Sequence, residues 1–198
     1  MIARTRSRAT LLTCLALLPA LAQAHPGHDA ATLGLGLLHP FTGADHILAM
    51  LAIGLWAAQL GGRLRWAVPL SFVLLMLVGA NLIAQNGALT AGLGAVEQGI
   101  AASVLICGLL LAFAVRFAAP ACVAIAGGFA LLHGYAHAAE GPGQADLTAY
   151  FAGFALSTAA LHAAGFGVAV WLARSNRQHA LRWTGAAVAL CGTALLAA

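Results

Sequence analysis

Leu38-His39-Pro40-Phe41-Thr42-Gly43-Ala44-Asp45-His46-Ile47-Leu48-Ala49-Met50 sets two imidazoles, a carboxylate and a thioether into an otherwise apolar run. An ionisable side chain inside a membrane segment costs several kcal/mol, roughly 2.5–3.5 on insertion scales, so it sits there for a function or beside a partner. Three such groups fall within eight residues here. Pro40 and Gly43 interrupt the helical pattern just before the apolar run becomes continuous. That break predicts a short helical or re-entrant piece at 30–38, separated from the span that follows.

The rest of the chain has the composition such a stretch needs. Of 198 residues, 62% are hydrophobic and only 7% charged, and the mean hydropathy is +0.94, far outside the range of soluble domains. No lysine occurs, and nine arginines against five acids give a formal charge of +4. The arginines are scattered at segment ends and form no basic patch, which excludes a nucleic-acid partner and leaves the lipid bilayer as the implied surroundings.

Residues 1–24 read as a cleaved secretory signal peptide. Arg4, Arg6 and Arg8 form its basic region, Leu11 to Leu21 its apolar region, and Ala22-Gln23-Ala24 its small-x-small cleavage site. Residues 25–198 would then be a single polytopic membrane domain beginning at His25, with six arginines against five acids. Cys107, Cys122 and Cys191 each fall singly inside apolar segments, without a CxxC pair, and read as small buried packing residues.

Apolar runs separated by short polar or Gly/Pro turns predict an all-α membrane protein of about six transmembrane helices, at 44–60, 66–85, 96–115, 119–139, 147–173 and 179–198. If the mature N-terminus lies outside, Arg63, Arg65, Arg116, Arg174, Arg177 and Arg182 all fall on the inner side, as the positive-inside rule requires. Both mature termini are then periplasmic. Trp56, Trp66, Trp171 and Trp183 fall near the arginine-side span ends and read as interfacial belt residues. Gly79, Gly99, Gly108, Gly127, Gly128, Gly153, Gly165 and Gly167 read as sites where helices approach closely. Leu37-Leu38-His39 recurs as Leu131-Leu132-His133, which with three spans per half would mark an inverted repeat.

This topology brings three separate helices to one depth. His39, Asp45 and His46 lie at the outer end of the first span, Glu97 at the outer start of the third, and His133, His137 and Glu140 at the outer end of the fourth. Met50 follows His46 by four residues and His137 follows His133 by four, so each pair shares a helix face. Asp45, adjacent to His46, is expected about 100° away around the helix. Imidazole nitrogens with carboxylate oxygens form a set suited to borderline divalent metals such as Ni²⁺, Co²⁺, Zn²⁺ or Cu²⁺.

Each residue has a blander reading. Glu97 at a helix start also complements the helix dipole, and Met50 is more often packing than ligand. His162, deeper in the fifth span, is either a next station inward or a helix-to-helix hydrogen-bonding residue. His25 and His28, in His25-Pro26-Gly27-His28-Asp29, are either a loose metal-collecting tail or a solvated linker.

The motifs resemble those of a known family. His39-Pro40-x-x-Gly43-x-Asp45-His46-x-x-x-Met50 resembles the first signature of the HupE/UreJ family of nickel permeases, and Phe129-Ala130-x-x-His133-Gly134-x-Ala136-His137-x-x-Glu140 the second. Glu97, followed by Ala101-Ala102-Ser103 and the Gly108 to Ala112 run, is also similar to the family. Ala138 stands where the family often has glycine. The resemblance covers nearly the whole chain and implies uptake of nickel, or cobalt, for hydrogenase or urease maturation.

The expectation is thus a bacterial inner-membrane secondary transporter with no permanently bound cofactor, whose divalent metal is its substrate. No GxxxxGK[ST] loop occurs that would supply nucleotide energy. The rival classes are an intramembrane metal-dependent enzyme and a non-transporting metal sensor or delivery protein. Against the enzyme, neither HExxH nor GxSxG is present. Oligomeric state leaves no signature in the sequence.

Overall fold

A computed structural model of the chain describes residues 33–86, 92–141 and 147–198. The expected signal peptide, His25, His28 and Asp146 lie outside the described residues. The chain forms helices α1 (Leu33–Leu38), α2 (Ala44–Leu60), α3 (Leu64–Asn86), α4 (Leu93–Ala112), α5 (Ala119–Ala139), α6 (Leu147–Arg174) and α7 (Gln178–Ala197), with a 3₁₀ turn at His39–Phe41. Among the described residues there are no strands.

Five helices are long and apolar enough to cross a membrane, and a sixth span exists only if α1 and α2 are counted together. The 17 residues of α2 rise about 26 Å, short of a hydrocarbon core of about 30 Å. The α1 segment meets α2 at 86° and so lies across its axis, adding little to its length. Pro40 opens the turn between them, and the amide and hydroxyl of Thr42 both donate to the His39 carbonyl, at 3.0 and 2.7 Å. The first span is therefore a broken one, as Pro40 and Gly43 predicted. Irregular backbone at membrane depth persists only where protein or water satisfies it. Here the Ser157 hydroxyl donates to the Leu37 carbonyl at 2.6 Å and ties α1 to α6.

The helices carry apolar residues all round, so burial is decided by small residues more than by an amphipathic stripe. α3 packs along α5, α4 along α7, and both α1 and α2 along α6. At Gly134 an added Cβ would strike the Met76 carbonyl and come within 2.8 Å of the Ala80 amide nitrogen, so α5 touches α3 backbone to backbone. Gly36 and Gly153 do the same for α1 and α6, and Gly54 and Gly165 for α2 and α6. Gly108 meets the backbone of Ala189 and holds α4 against α7. Two expected contact glycines prove otherwise: Gly128 and Gly167 face open space. The outer stripe Leu70, Leu74, Val78 and Leu82 of α3 is exposed at helical spacing, as a lipid-facing surface should be.

The arginine end is stitched by side chains capping helix carbonyls. Arg182 Nε donates to Ala112 O at 2.8 Å, Gln59 Nε2 to Leu111 O at 3.1 Å, and Arg116 Nη2 to Gln59 O at 3.5 Å. Trp66, Trp171 and Trp183 are exposed, as belt residues are, but Trp56 is fully buried in the core, because α2 is enclosed on most sides. Cys107 and Cys122 are buried as expected, whereas Cys191 is exposed on α7. The two Leu-Leu-His tripeptides sit in unlike settings, one at the bend after α1 and the other inside continuous α5.

These contacts separate two classes of glycine. Gly134→Ala is expected to destabilise the bundle by about 1–3 kcal/mol through overpacking, while Gly128→Ala leaves stability unchanged or slightly raised. Thermal midpoints of the two variants in detergent, read by size-exclusion fluorescence, check this; equal midpoints would contradict it.

Candidate metal centre

At the end of the bundle opposite the arginines, a cavity of about 380 Å³ is lined by His39, Asp45, His46, Glu97, Gln98 and Glu140, among others. The 3₁₀ turn supplies His39, the first turn of α2 supplies Asp45 and His46, and the second turn of α4 supplies Glu97. Glu140 ends α5. Because Glu97 lies beyond the first turn of its helix, where the dipole effect fades, its place on the cavity wall is the more informative observation. Gln98 was not singled out by the sequence.

Asp45 departs from expectation. Its carboxylate folds back, accepting the His46 amide at 2.8 Å and lying 2.9 Å from His46 Nδ1. The two adjacent side chains thus meet, because Asp45 lies in the first turn, where free amide protons attract a carboxylate. In a neutral His46, Nδ1–H donates to Asp45 and Nε2 is left as the free lone pair. Gly43 makes this possible: a Cβ there would come within 2.5 Å of Asp45 Oδ1 and 3.1 Å of His46 Nδ1.

Beneath the cavity lie two fully buried rings of α5, His133 and His137. His133 Nδ1 donates to the Phe129 carbonyl at 2.8 Å, which fixes Nε2 as its acceptor nitrogen. His137 stacks on Phe154 of α6 with centroids 4.6 Å apart and planes at 14°. Ring centroids join the histidines in series: His39 to His137 at 4.8 Å, His137 to His46 at 4.8 Å, and His46 to His133 at 5.3 Å. Nε2 of His46 and His133 and both nitrogens of His137 are buried without a hydrogen-bond partner among the described residues. Such groups are costly to leave unsatisfied and mark a place built to accept something.

The side chains are gathered but not closed. Among the described residues, no three His, Cys, Asp or Glu side chains stand as a complete metal-ligand set. Met50, fully buried in the apolar core, does not line the cavity. His162 is buried elsewhere in the bundle and lines a different cavity. The sequence also missed an aromatic jacket: Phe72 against His133 at 5.4 Å, Tyr150 against His39 at 5.6 Å, and Phe154 on His137. The four-residue spacing of Tyr150 and Phe154 was the available signal.

The family model described as "HupE / UreJ protein" matches residues 12–195 of this chain. A curated relative, Protein HupE of Rhizobium leguminosarum bv. viciae, is 45% identical over 188 residues, which is 94% of this chain and 95% of that protein. No solved structure matches the chain.

The cavity rim has a pH-sensitive clasp. Glu140 Oε2 lies 3.3 Å from His39 Nε2, and that hydrogen bond holds the Glu140 carboxyl below its ordinary value of 4.5, against partial burial, which acts the other way. A depressed carboxyl contributes stability above its ordinary value and loses it as pH falls through the lowered one. The clasp is therefore intact at neutral pH, and its contribution is lost as pH falls through the lowered Glu140 value. Infrared titration of the carboxylate band is expected to place the Glu140 midpoint below 4.5 in the wild type and to move it upward in His39→Ala. An unmoved midpoint would show that His39 is not the cause.

Proposed function

The chain belongs to the HupE / UreJ family, and from that premise we propose that it is a secondary transporter taking up Ni²⁺, or Co²⁺, across the bacterial inner membrane. The observation that carries the proposal is the convergence of His39, Asp45, His46, Glu97 and Glu140 on one cavity, above buried imidazoles with free nitrogens. In this reading the cavity faces the periplasm, and the metal supplies hydrogenase or urease maturation inside.

The cavity mouth holds three carboxylates, which attract a divalent cation and offset its charge. His39, His46 and His137 are the inner ligands, with His133 next in line. Imidazoles bound to one metal at about 2.1 Å place their ring centroids roughly 4.5–5.2 Å apart. The His39–His137 and His46–His137 separations of 4.8 Å fit that spacing, and His39–His46 at 6.4 Å must shorten. Rotation of His39 away from Glu140 would supply the change, so binding opens the clasp. Asp45 acts mainly by holding the His46 ring, as carboxylates commonly do for metal-bound histidines.

No nucleotide-binding loop is present in the sequence, and none is needed for uptake. A net 2+ charge moving down an inside-negative potential gains about 4.6 kcal/mol per 100 mV. Neutral imidazole and ionised carboxylate are the binding forms, so acidification should slow uptake. The same groups serve as ligands that release their cargo, which favours a carrier over an enzyme.

Initial-rate ⁶³Ni uptake in cells at matched expression tests the proposal. His46→Ala is expected to lower uptake at least tenfold, and Asp45→Asn to lower it severalfold by freeing the ring. Wild-type rates in both variants would sink the assignment. Catalytic turnover by purified protein, with no metal flux in liposomes, would favour an enzyme instead.

A further inference from the structure

A groove of about 500 Å³ lies between α3 and α6, beginning at the arginine end of the bundle. Its floor is Gly54 and Ala57 of α2, one wall is Leu70 and Val73 of α3, and the other is Ala159 and Ala163 of α6. Leu70 is 60% exposed, in line with the lipid-facing stripe of α3, and Ala159 and Ala163 are exposed on α6. The groove therefore opens sideways, toward hydrocarbon. Below its mouth only His162 is polar among the described lining residues, and both of its ring nitrogens are buried. A bound water needs about two to four polar partners, so what fills this slot is apolar.

At the mouth the chemistry changes. Arg65, in the first turn of α3, holds its guanidinium 5.6 Å from the Trp66 ring centroid, and Trp66 stacks on Phe166 of α6 at 5.8 Å. No carboxylate lines the groove, and among the described residues none pairs with Arg65. Because α3 begins at Leu64, the positive end of its dipole adds to the same field. Trp66 is 63% exposed, as a residue at headgroup level is. From Arg65 to Val73 the groove follows α3 for about 12 Å, close to the roughly 15 Å of hydrocarbon that one leaflet contributes.

We propose that this groove binds one anionic phospholipid from the leaflet on the arginine-bearing face, with its phosphate at Arg65 and one acyl chain along Gly54 and Ala57. A cation at headgroup level above an apolar slot about one leaflet deep is complementary to that molecule at both ends. The guanidinium fork suits phosphate oxygens, and a headgroup that carries its own cation would oppose it. The bound lipid touches three helices, α2, α3 and α6, and α2 carries Asp45 and His46 at its opposite end. A ligand that binds only the assembled bundle stabilises it by mass action. The inference goes beyond the transport reading and does not depend on which ion the outer centre takes.

Native mass spectrometry of the full chain in detergent, with dioleoylphosphatidylglycerol or dioleoylphosphatidylcholine added singly, tests the assignment. The parent is expected to retain one phosphatidylglycerol per chain at least fivefold more tightly than phosphatidylcholine. Arg65→Gln should bring that ratio below twofold, while Arg63→Gln, exposed at the same end but outside the groove, keeps it within twofold of the parent. Ala159→Trp should fill the slot and lower retention of both lipids at least fivefold, with Ala163→Phe as the second variant if the tryptophan form does not assemble. Inorganic phosphate should not displace the lipid. Equal retention of the two lipids, an unchanged ratio in Arg65→Gln, an equal fall in Arg63→Gln, or full lipid retention in a groove-filling variant would overturn the site. Displacement by phosphate alone would overturn it in favour of a simple anion site. A two-chain species that is lost in Ala159→Trp would overturn it in favour of a second copy of the chain.

Discussion

Imidazoles buried in an apolar bundle are the constraint on which the rest of this structure depends. A neutral ring needs a donor partner and an acceptor partner, and hydrocarbon supplies neither. For His46 and His133 the protein meets half of that need and stops there. Asp45 takes the Nδ1 proton of His46 and the Phe129 carbonyl takes that of His133, so each ring is oriented by one nitrogen and left open at the other. Fixing the orientation in advance lowers the entropy a ligand must overcome on binding. The apolar jacket of Phe72, Tyr150 and Phe154 keeps the rings apart from lipid and strengthens every electrostatic contact a cation would make with them.

The close backbone contacts serve the same constraint. Gly36, Gly153, Gly54 and Gly165 bring α1 and α2 against α6, and Gly134 brings α5 against α3. Without those approaches the rings of His39, His46, His133 and His137, which come from two separate stretches of chain, would not fall within about one ring diameter of each other. Packing between helices in lipid depends on such approaches because lipid tails are as apolar as leucine. The small-residue seams therefore decide where the polar chemistry can be.

Much of this was legible in the sequence, for identifiable reasons. Costly residues stand out against an apolar background, so His39, Asp45, His46, Glu97 and Glu140 could be assigned to one end of the bundle from arginine placement and span counting alone. The broken first span was visible because Pro40 and Gly43 interrupt the helical pattern just before the apolar run becomes continuous. What was not legible involves residues that look ordinary. Phe72, Tyr150 and Phe154 are apolar residues in apolar helices, and the walls of the cavity beside His162 are mostly glycine, alanine and other apolar side chains. Trp56 read as an interfacial residue from its nearness to the span end, yet that span has the predicted bounds, 44–60, and Trp56 is buried because α2 is enclosed on most sides. Asp45 was placed by ideal helical geometry, which does not hold in a first turn where free amides draw the carboxylate back. Gly128 and Gly167 shared their composition, but not their facing, with the glycines at the seams.

The length of α6 has one further consequence. Its 28 residues make a rod about 42 Å long, some 12 Å more than a hydrocarbon core. Near one end it carries Tyr150 and Phe154 against the outer histidines, and past its middle it carries His162 and Phe166 on the wall of the different cavity that His162 lines. Such a rod is a lever with a load on each arm. A tilt of about 5° around its centre displaces the two ends by about 2 Å in opposite directions.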